Sequence, residues 1–195
     1  MIKQKRMYEQ PNFEDSKSLT SLRTKLLKNR VIILDGEVDT RLATSVIAQL
    51  LLLDVVDKPI TVYLNTPGGN INDGMAIYDI IKYKIKSKVN MVVNGIAASM
   101  GVIILLSTEH RTCFKHSRVM IHQPLTSTGA RMVKQLEFEQ MSKSLTKSRN
   151  MLENIIFENT TFKSKASVID TMDKKDFWFD SEQCLEFGFV KRIIR

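Results

Sequence analysis

The stretch ITVYLNTPGGNINDGMAIYDIIKYKIKSKVNMVVNGIAASMGVIILLS, residues 60–107, decides the fold. It opens on a five-residue apolar and β-branched run, 60–64, which has the length and composition of a strand. Pro67, Gly68 and Gly69 break that run, because proline removes a backbone donor and glycine admits turn conformations. Residues 71–84 read as the helix that follows, 89–93 as a second strand and 99–107 as a buried apolar helix. Strand alternating with helix at these lengths argues for an α/β fold built from βαβ units.

The alternation extends outward on both sides. Upstream, a helix starts at 22–27, VIIL at 31–34 is a strand closed by Asp35 and Gly36, and 40–53 is an apolar helix capped by Asp39 or Thr40. Downstream come short strands near 112–115 and 118–121, helices near 164–170 and 181–187, and a terminal strand at 189–194. Between them a helix runs from about 131 to 159. Its apolar residues (Leu136, Met141, Leu145, Leu152, Ile155) form a thin stripe, as in a helix that projects and packs on a partner chain. Residues 1–18 read as a polar, mobile N-terminal segment, and 19–195 as one domain.

Composition narrows the class. The 195 residues, 43% hydrophobic and 26% charged, suit a globular core and not a disordered chain. No apolar run reaches the roughly 18 residues of a membrane span. The longest, 47–56, is interrupted by Gln49 and Asp54 and reads as a buried helix. MIKQKRMYEQ at the N-terminus is basic but lacks a following apolar stretch, so a cytoplasmic location is expected. The net charge of +8 is scattered along the chain. Its densest run, KYKIKSK at 82–88, lies at a helix end, where lysines complement the dipole, so neither nucleic acid nor membrane is an expected partner. Cys113 and Cys184 lack CxxC spacing and read as buried thiols, with no disulfide or metal site expected.

Four short motifs carry candidate chemistry, and each alone has an ordinary structural explanation. NGIAASMG, 94–101, sets Ser99 at a helix start among small residues, where the Met100 amide could serve a developing oxyanion or Ser99 could simply cap. It is not the GxSxG elbow, since Ala97 stands where that motif needs glycine. LNTPGGN, 64–70, is a turn whose amides could hold an anion or an extended peptide. VMIHQP, 119–124, ends an apolar strand on His122, whereas His110 and His116 lie in charged turns. DTMDKKDFWF, 170–179, offers Asp170, Asp173 and Asp176 as the carboxylate that orients a histidine. Asp176 is mildly preferred because Phe177, Trp178 and Phe179 could bury it.

In their order, LLKNRVIIL, LNTPGGNINDGMAIYD, GIAASMG, RVMIHQP and EFGFV resemble the ClpP family, the proteolytic subunits of the Clp proteases, over roughly residues 20–193. The Ser…His…Asp order also differs from the Ser…Asp…His order of α/β-hydrolases. The resemblance implies a ClpP/crotonase-like spiral with a projecting handle helix, and a serine endopeptidase acting on unfolded polypeptide. It implies Ser99 as nucleophile, His122 as base and, by gap-free counting back from EFGFV, Asp176 as orienting carboxylate. Gly69 and Met100 would supply oxyanion amides, and Gly68, Asn70, Ile71 and Leu125 would line the substrate. It further implies stacked seven-membered rings enclosing the sites. A hexameric AAA+ unfoldase would feed them and consume the ATP, leaving this chain without a cofactor.

The chain departs from the family pattern in several places. Thr66 replaces a serine, Thr126-Ser127 a glycine pair that shapes the peptide cleft, and Lys174-Lys175 an acid–base pair that ties the rings. The 54-residue interval from His122 to Asp176 is longer than usual, as if the handle tip held an insertion. Two other readings stay open: a weakly active or non-catalytic ring partner of another paralogue, and a crotonase-type acyl-CoA enzyme.

Overall fold

The computed structural model describes residues 16–125 and 134–195. The first stretch holds α1 (Ser16–Lys28), β1 (Val31–Asp35), α2 (Thr40–Leu53), β2 (Ile60–Thr66), α3 (Ile71–Asp79), β3 (Val89–Ala98), α4 (Met100–Leu105), β4 (Arg111–Phe114) and β5 (Arg118–Ile121). The second holds α5 (Gln135–Asn159), α6 (Lys165–Asp173), β6 (Phe177–Phe179), α7 (Ser181–Glu186) and β7 (Arg192–Ile194). Helix α1 thus begins upstream of the expected 22 and takes in 16–18 from the segment read as mobile. Residues 1–15 of that segment lie outside the described residues, as do Thr126, Ser127 and the first residues of the expected 131–159 helix.

Five strands lie parallel in the order β1-β2-β3-β4-β7. The first four stand in sequence order, so each strand–helix unit advances the sheet one step: the expected α/β spiral. Strand β3 is long enough for two partners. Its Met91–Val93 part pairs with β4, and Ile96–Ala98 with β5. The strand expected to stop at 93 therefore continues to Ala98. Against β2 it carries extra residues, since Leu64 faces Val93 but Thr66 faces Ala97, and the Asn65 side chain accepts from the Ile96 amide at 3.0 Å. Small residues with weak strand preference stay extended here because β5 pairs with them.

Helix α4 is apolar all round and every residue of it is buried. Each large apolar side chain so buried contributes about 1.5–3 kcal/mol, which fixes the start of this helix firmly. Helix α2 is capped by Asp39, whose carboxylate accepts from the Leu42 amide at 2.7 Å. It buries Ala43, Val46, Leu50 and Leu53 but exposes Leu52, and Val55 and Val56 beyond its end are exposed too. The 47–56 run is therefore one-sided, not buried throughout. After α3 the chain makes a π turn at Ile80–Lys84, and the Asp54 carboxylate then accepts from the amides of Lys86 and Ser87.

Helix α5 buries only Leu152, Glu153, Ile155 and Ile156. No side chain of 134–151 is buried, in keeping with the projecting handle. Its far end is tied down by Arg111, a buried residue on β4. The guanidinium donates to the carbonyls of Thr108 at 2.7 Å, Asn159 at 2.9 Å and Gly188 at 3.0 Å. Cys113 and Cys184 are both buried free thiols, and burial pushes them up to about 11 and about 12. No helix among the described residues is long and apolar enough to cross a membrane.

Candidate active site

Ser99 stands between β3 and α4 with φ 53 and ψ −119, a conformation that non-glycine residues rarely adopt. Such a backbone costs on the order of 1–3 kcal/mol and persists only where its surroundings dictate it. They do so here. The Ser99 amide donates to the Met120 carbonyl at 2.9 Å, and buried α4 continues from the next residue. Gly68 is pressed against the same turn: a Cβ there would lie 2.6 Å from the Ser99 Cβ and 2.7 Å from the Ala98 carbonyl oxygen. The Ser99 side chain makes no cap hydrogen bond, so the simple capping explanation does not hold. Its Oγ lies 2.9 Å from His122 Nε2 instead.

His122 follows the last residue of β5 and is mostly buried. Its Nδ1 lies 3.1 Å from Asp176 Oδ1. With Nδ1 protonated toward the carboxylate, Nε2 is left to accept the Ser99 hydroxyl proton. Asp176 directly precedes β6, which runs antiparallel to β5 and pairs Phe177 with Ile121. That pairing brings together side chains 54 residues apart. The aromatic shelter expected for Asp176 is absent, as its side chain is 63% exposed. Phe179, fully buried, turns inward with Phe177 to pack on the core, away from the carboxylate. Asp170 pairs with Lys174 at 2.6 Å, and Asp173 with Arg149 at 2.8 Å, so neither faces the histidine.

Gly69 has φ +151, and a Cβ on it would collide with the Val38 backbone. Val38 donates to the Gly68 carbonyl at 2.7 Å and accepts from the Asn70 amide at 2.8 Å. In such a parallel bridge those groups flank the bridged residue, so the N–H and C=O of Gly69 face the opposite edge. Gly69 and Met100 both line the cavity that holds Ser99 and His122. Their amides have no hydrogen-bond partner among the described residues.

Gly68 has its N–H on Thr66 Oγ1 and its C=O on Val38, so it offers close approach and no free donor. Asn70 turns its amide to Val38 and caps α3 with its side chain, leaving it only the wall of an adjoining hollow. Ile71 and Leu125 line both hollows. Thr66 keeps the work of a hydroxyl, donating to the Gly36 carbonyl at 2.5 Å.

The cavity beside Ser99 and His122, about 380 Å³, is also lined by Ile103, Ile121, Leu152, Ile156 and Met172. Sequence reading did not pick these residues. The available signals were the unbroken apolar character of α4 and the apolar end of α5. Lys174 pairs with Asp170, so one of the two lysines at 174–175 has a partner within its own chain.

Fold and site together define a class: an α/β spiral presenting a hydrogen-bonded serine–histidine pair at an apolar cavity has the layout of a serine hydrolase. The pattern of the Clp protease family matches residues 14–195. Two proteins described as ATP-dependent Clp protease proteolytic subunits, from Streptococcus uberis and Streptococcus sanguinis, are 39% and 38% identical over 175 residues. Each of these matches spans 88% of this chain and 87% of the relative. A solved mutant form of ClpP1 from Listeria monocytogenes superposes with a TM-score of 0.79 at 33% identity, covering 89% of this chain and 96% of that one. The chain belongs to the Clp protease family. It is therefore a proteolytic enzyme, and the acyl-CoA reading falls away.

Proposed function

We propose that this chain is a serine endopeptidase in which Ser99 attacks the scissile carbonyl of an extended, unfolded polypeptide. His122 Nε2 takes the hydroxyl proton and later gives it to the leaving amine, while Asp176 holds the imidazole in the productive tautomer. The Gly69 and Met100 amides receive the oxyanion, where donors fixed in advance are worth most. Water then hydrolyses the acyl-enzyme by the same proton route in reverse. The peptide lies as an added strand between the Gly69–Ile71 edge and Leu125, with an apolar side chain in the cavity over Met172 and Ile156.

What carries this reading is one observation: His122 lies within hydrogen-bond reach of Ser99 on one nitrogen and Asp176 on the other. The Clp family membership supports the rest. The chain assembles with itself into seven-membered rings, stacked in pairs around an enclosed chamber in the cytoplasm. An AAA+ unfoldase supplies substrate and consumes the ATP, so this chain needs no cofactor of its own. The test is hydrolysis of a short fluorogenic peptide by sized wild-type and Ser99→Ala assemblies. Loss on the order of 10⁴-fold or more is expected, because such residues act as a unit. Retention of most activity by the variant contradicts it.

A further inference from the structure

The residue after His122 is tied into a chain of charges that the reaction itself does not use. Gln123 Nε2 donates to Asp173 Oδ1. The same oxygen accepts from Arg149 Nη2 at 2.8 Å, and Arg149 Nε donates to Glu153 Oε1 at 2.7 Å. Glu153 is only 1% exposed, with Lys165 Nζ 3.8 Å from its other oxygen. A buried carboxylate is costly without its partner, so Glu153 fixes Arg149 on α5. Arg149 in turn fixes Asp173, the last residue of α6.

Asp176 follows three residues later. Its carboxylate is largely exposed and has no partner among the described residues besides His122. Among the described residues, His122 alone holds the carboxylate in place. Among the described residues the segment 174–176 is held through its ends, by the β5–β6 pairing on one side and by Asp173 on the other, and besides these by the exposed Lys174–Asp170 pair, which contributes little.

We propose that Asp173 and Arg149 are positioning residues: by clamping Gln123 and the end of α6 to the handle helix, they hold His122 and Asp176 in register. This rests on the Ser99–His122–Asp176 reading.

The variants are Asp173→Ala, which removes the shared acceptor, and Arg149→Gln, assayed on an apolar fluorogenic peptide with kcat expressed per site titrated by a fluorophosphonate. Each is expected to lower kcat by about tenfold to a hundredfold, the cost of a small misplacement. KM stays near its wild-type value, since the cavity and peptide edge are untouched. The double variant loses no more than the worse single one, because both break one clamp. Arg149→Lys recovers part of the loss. Asp170→Asn, which breaks only the exposed pair on the same helix, keeps wild-type kcat. Asp173→Ala leaves the Arg149–Glu153 pair intact and carries the test if Arg149→Gln fails to fold. Wild-type kcat in Asp173→Ala, or fully additive losses in the double variant, overturns the clamp. If the wild type neither turns over nor reacts with fluorophosphonate, the catalytic reading is what fails. The crystal structure of Asp173→Ala then decides the geometric claim: loss of the His122–Asp176 hydrogen bond upholds it, and an unchanged bond overturns it.

Discussion

Replacing Asp176 by alanine removes a charge without introducing a group that could hold the wrong tautomer. The carboxylate oxygen lies 3.1 Å from His122 Nδ1, which puts the charge centres about 4 Å apart. At that distance the attraction on the transition-state imidazolium is about 4 kcal/mol at an effective dielectric near 20 and about 1 kcal/mol in bulk water. These limits correspond to roughly a thousandfold and roughly fivefold in rate. The carboxylate is 63% exposed while the histidine side chain is 19% exposed, so the pair sits between the two limits. We therefore expect Asp176→Ala to lower kcat by about a hundredfold, less than the roughly 10⁴-fold seen where such a group is buried. Asp176→Asn should be worse, because its amide can donate to Nδ1 and leave a proton on Nε2. The assay is peptide hydrolysis at saturation, normalised to fluorophosphonate-titrated sites. Activity of Asp176→Ala within about threefold of wild type would remove Asp176 from the mechanism, since even full solvent screening leaves a fivefold effect. A loss as complete as that of Ser99→Ala would refute the reasoning from exposure.

Gly68→Ala should disable the site and lower stability by about 1–3 kcal/mol, since its Cβ meets the Ser99 turn at a positive φ that glycine alone takes easily; loss of fluorophosphonate reaction together with an earlier urea midpoint checks this. Arg111→Met leaves the carbonyls of Thr108, Asn159 and Gly188 without their donor and should cost about 3 kcal/mol or more in denaturant unfolding. Asp54 is held below its ordinary value, chiefly by the Ser87 amide, so it stabilises the fold above the ordinary carboxylate range and loses that effect as pH falls through its lowered value. Asp54→Asn should accordingly be less stable than wild type at pH 7, with the difference closing at acid pH in parallel melting curves.

Much of the candidate site is legible because it falls at element ends, which punctuation residues mark. Pro67 and the paired glycines announced one turn, and the small residues around Ser99 another. The βαβ alternation predicted the spiral that brings the two turns together. The extension of β3 was not legible. Ala97 and Ala98 lack strand preference, and pairing with β2 and β5 keeps them extended. The aromatic run 177–179 suggests a shelter for Asp176 that the fold does not provide. In a strand, neighbours alternate faces, so Phe177 and Phe179 point into the core and leave Asp176 on the other side. The clamp was invisible for a different reason. Gln123 and Asp173 are 50 residues apart, Arg149 and Asp173 are 24 apart, and no local pattern links them. Glu153 in particular reads as an ordinary helix-surface acid until its burial is known.

The central claim is that Ser99 is a nucleophile activated by His122. Incubating the assembled protein with a fluorophosphonate and mapping the adduct by mass spectrometry tests it most directly, because an ordinary serine does not react. The prediction is a single adduct on Ser99, which forms at least about a hundredfold more slowly in His122→Ala, as expected when a general base is lost. An adduct on another residue, no adduct at all, or equal labelling of Ser99 without His122 would contradict it.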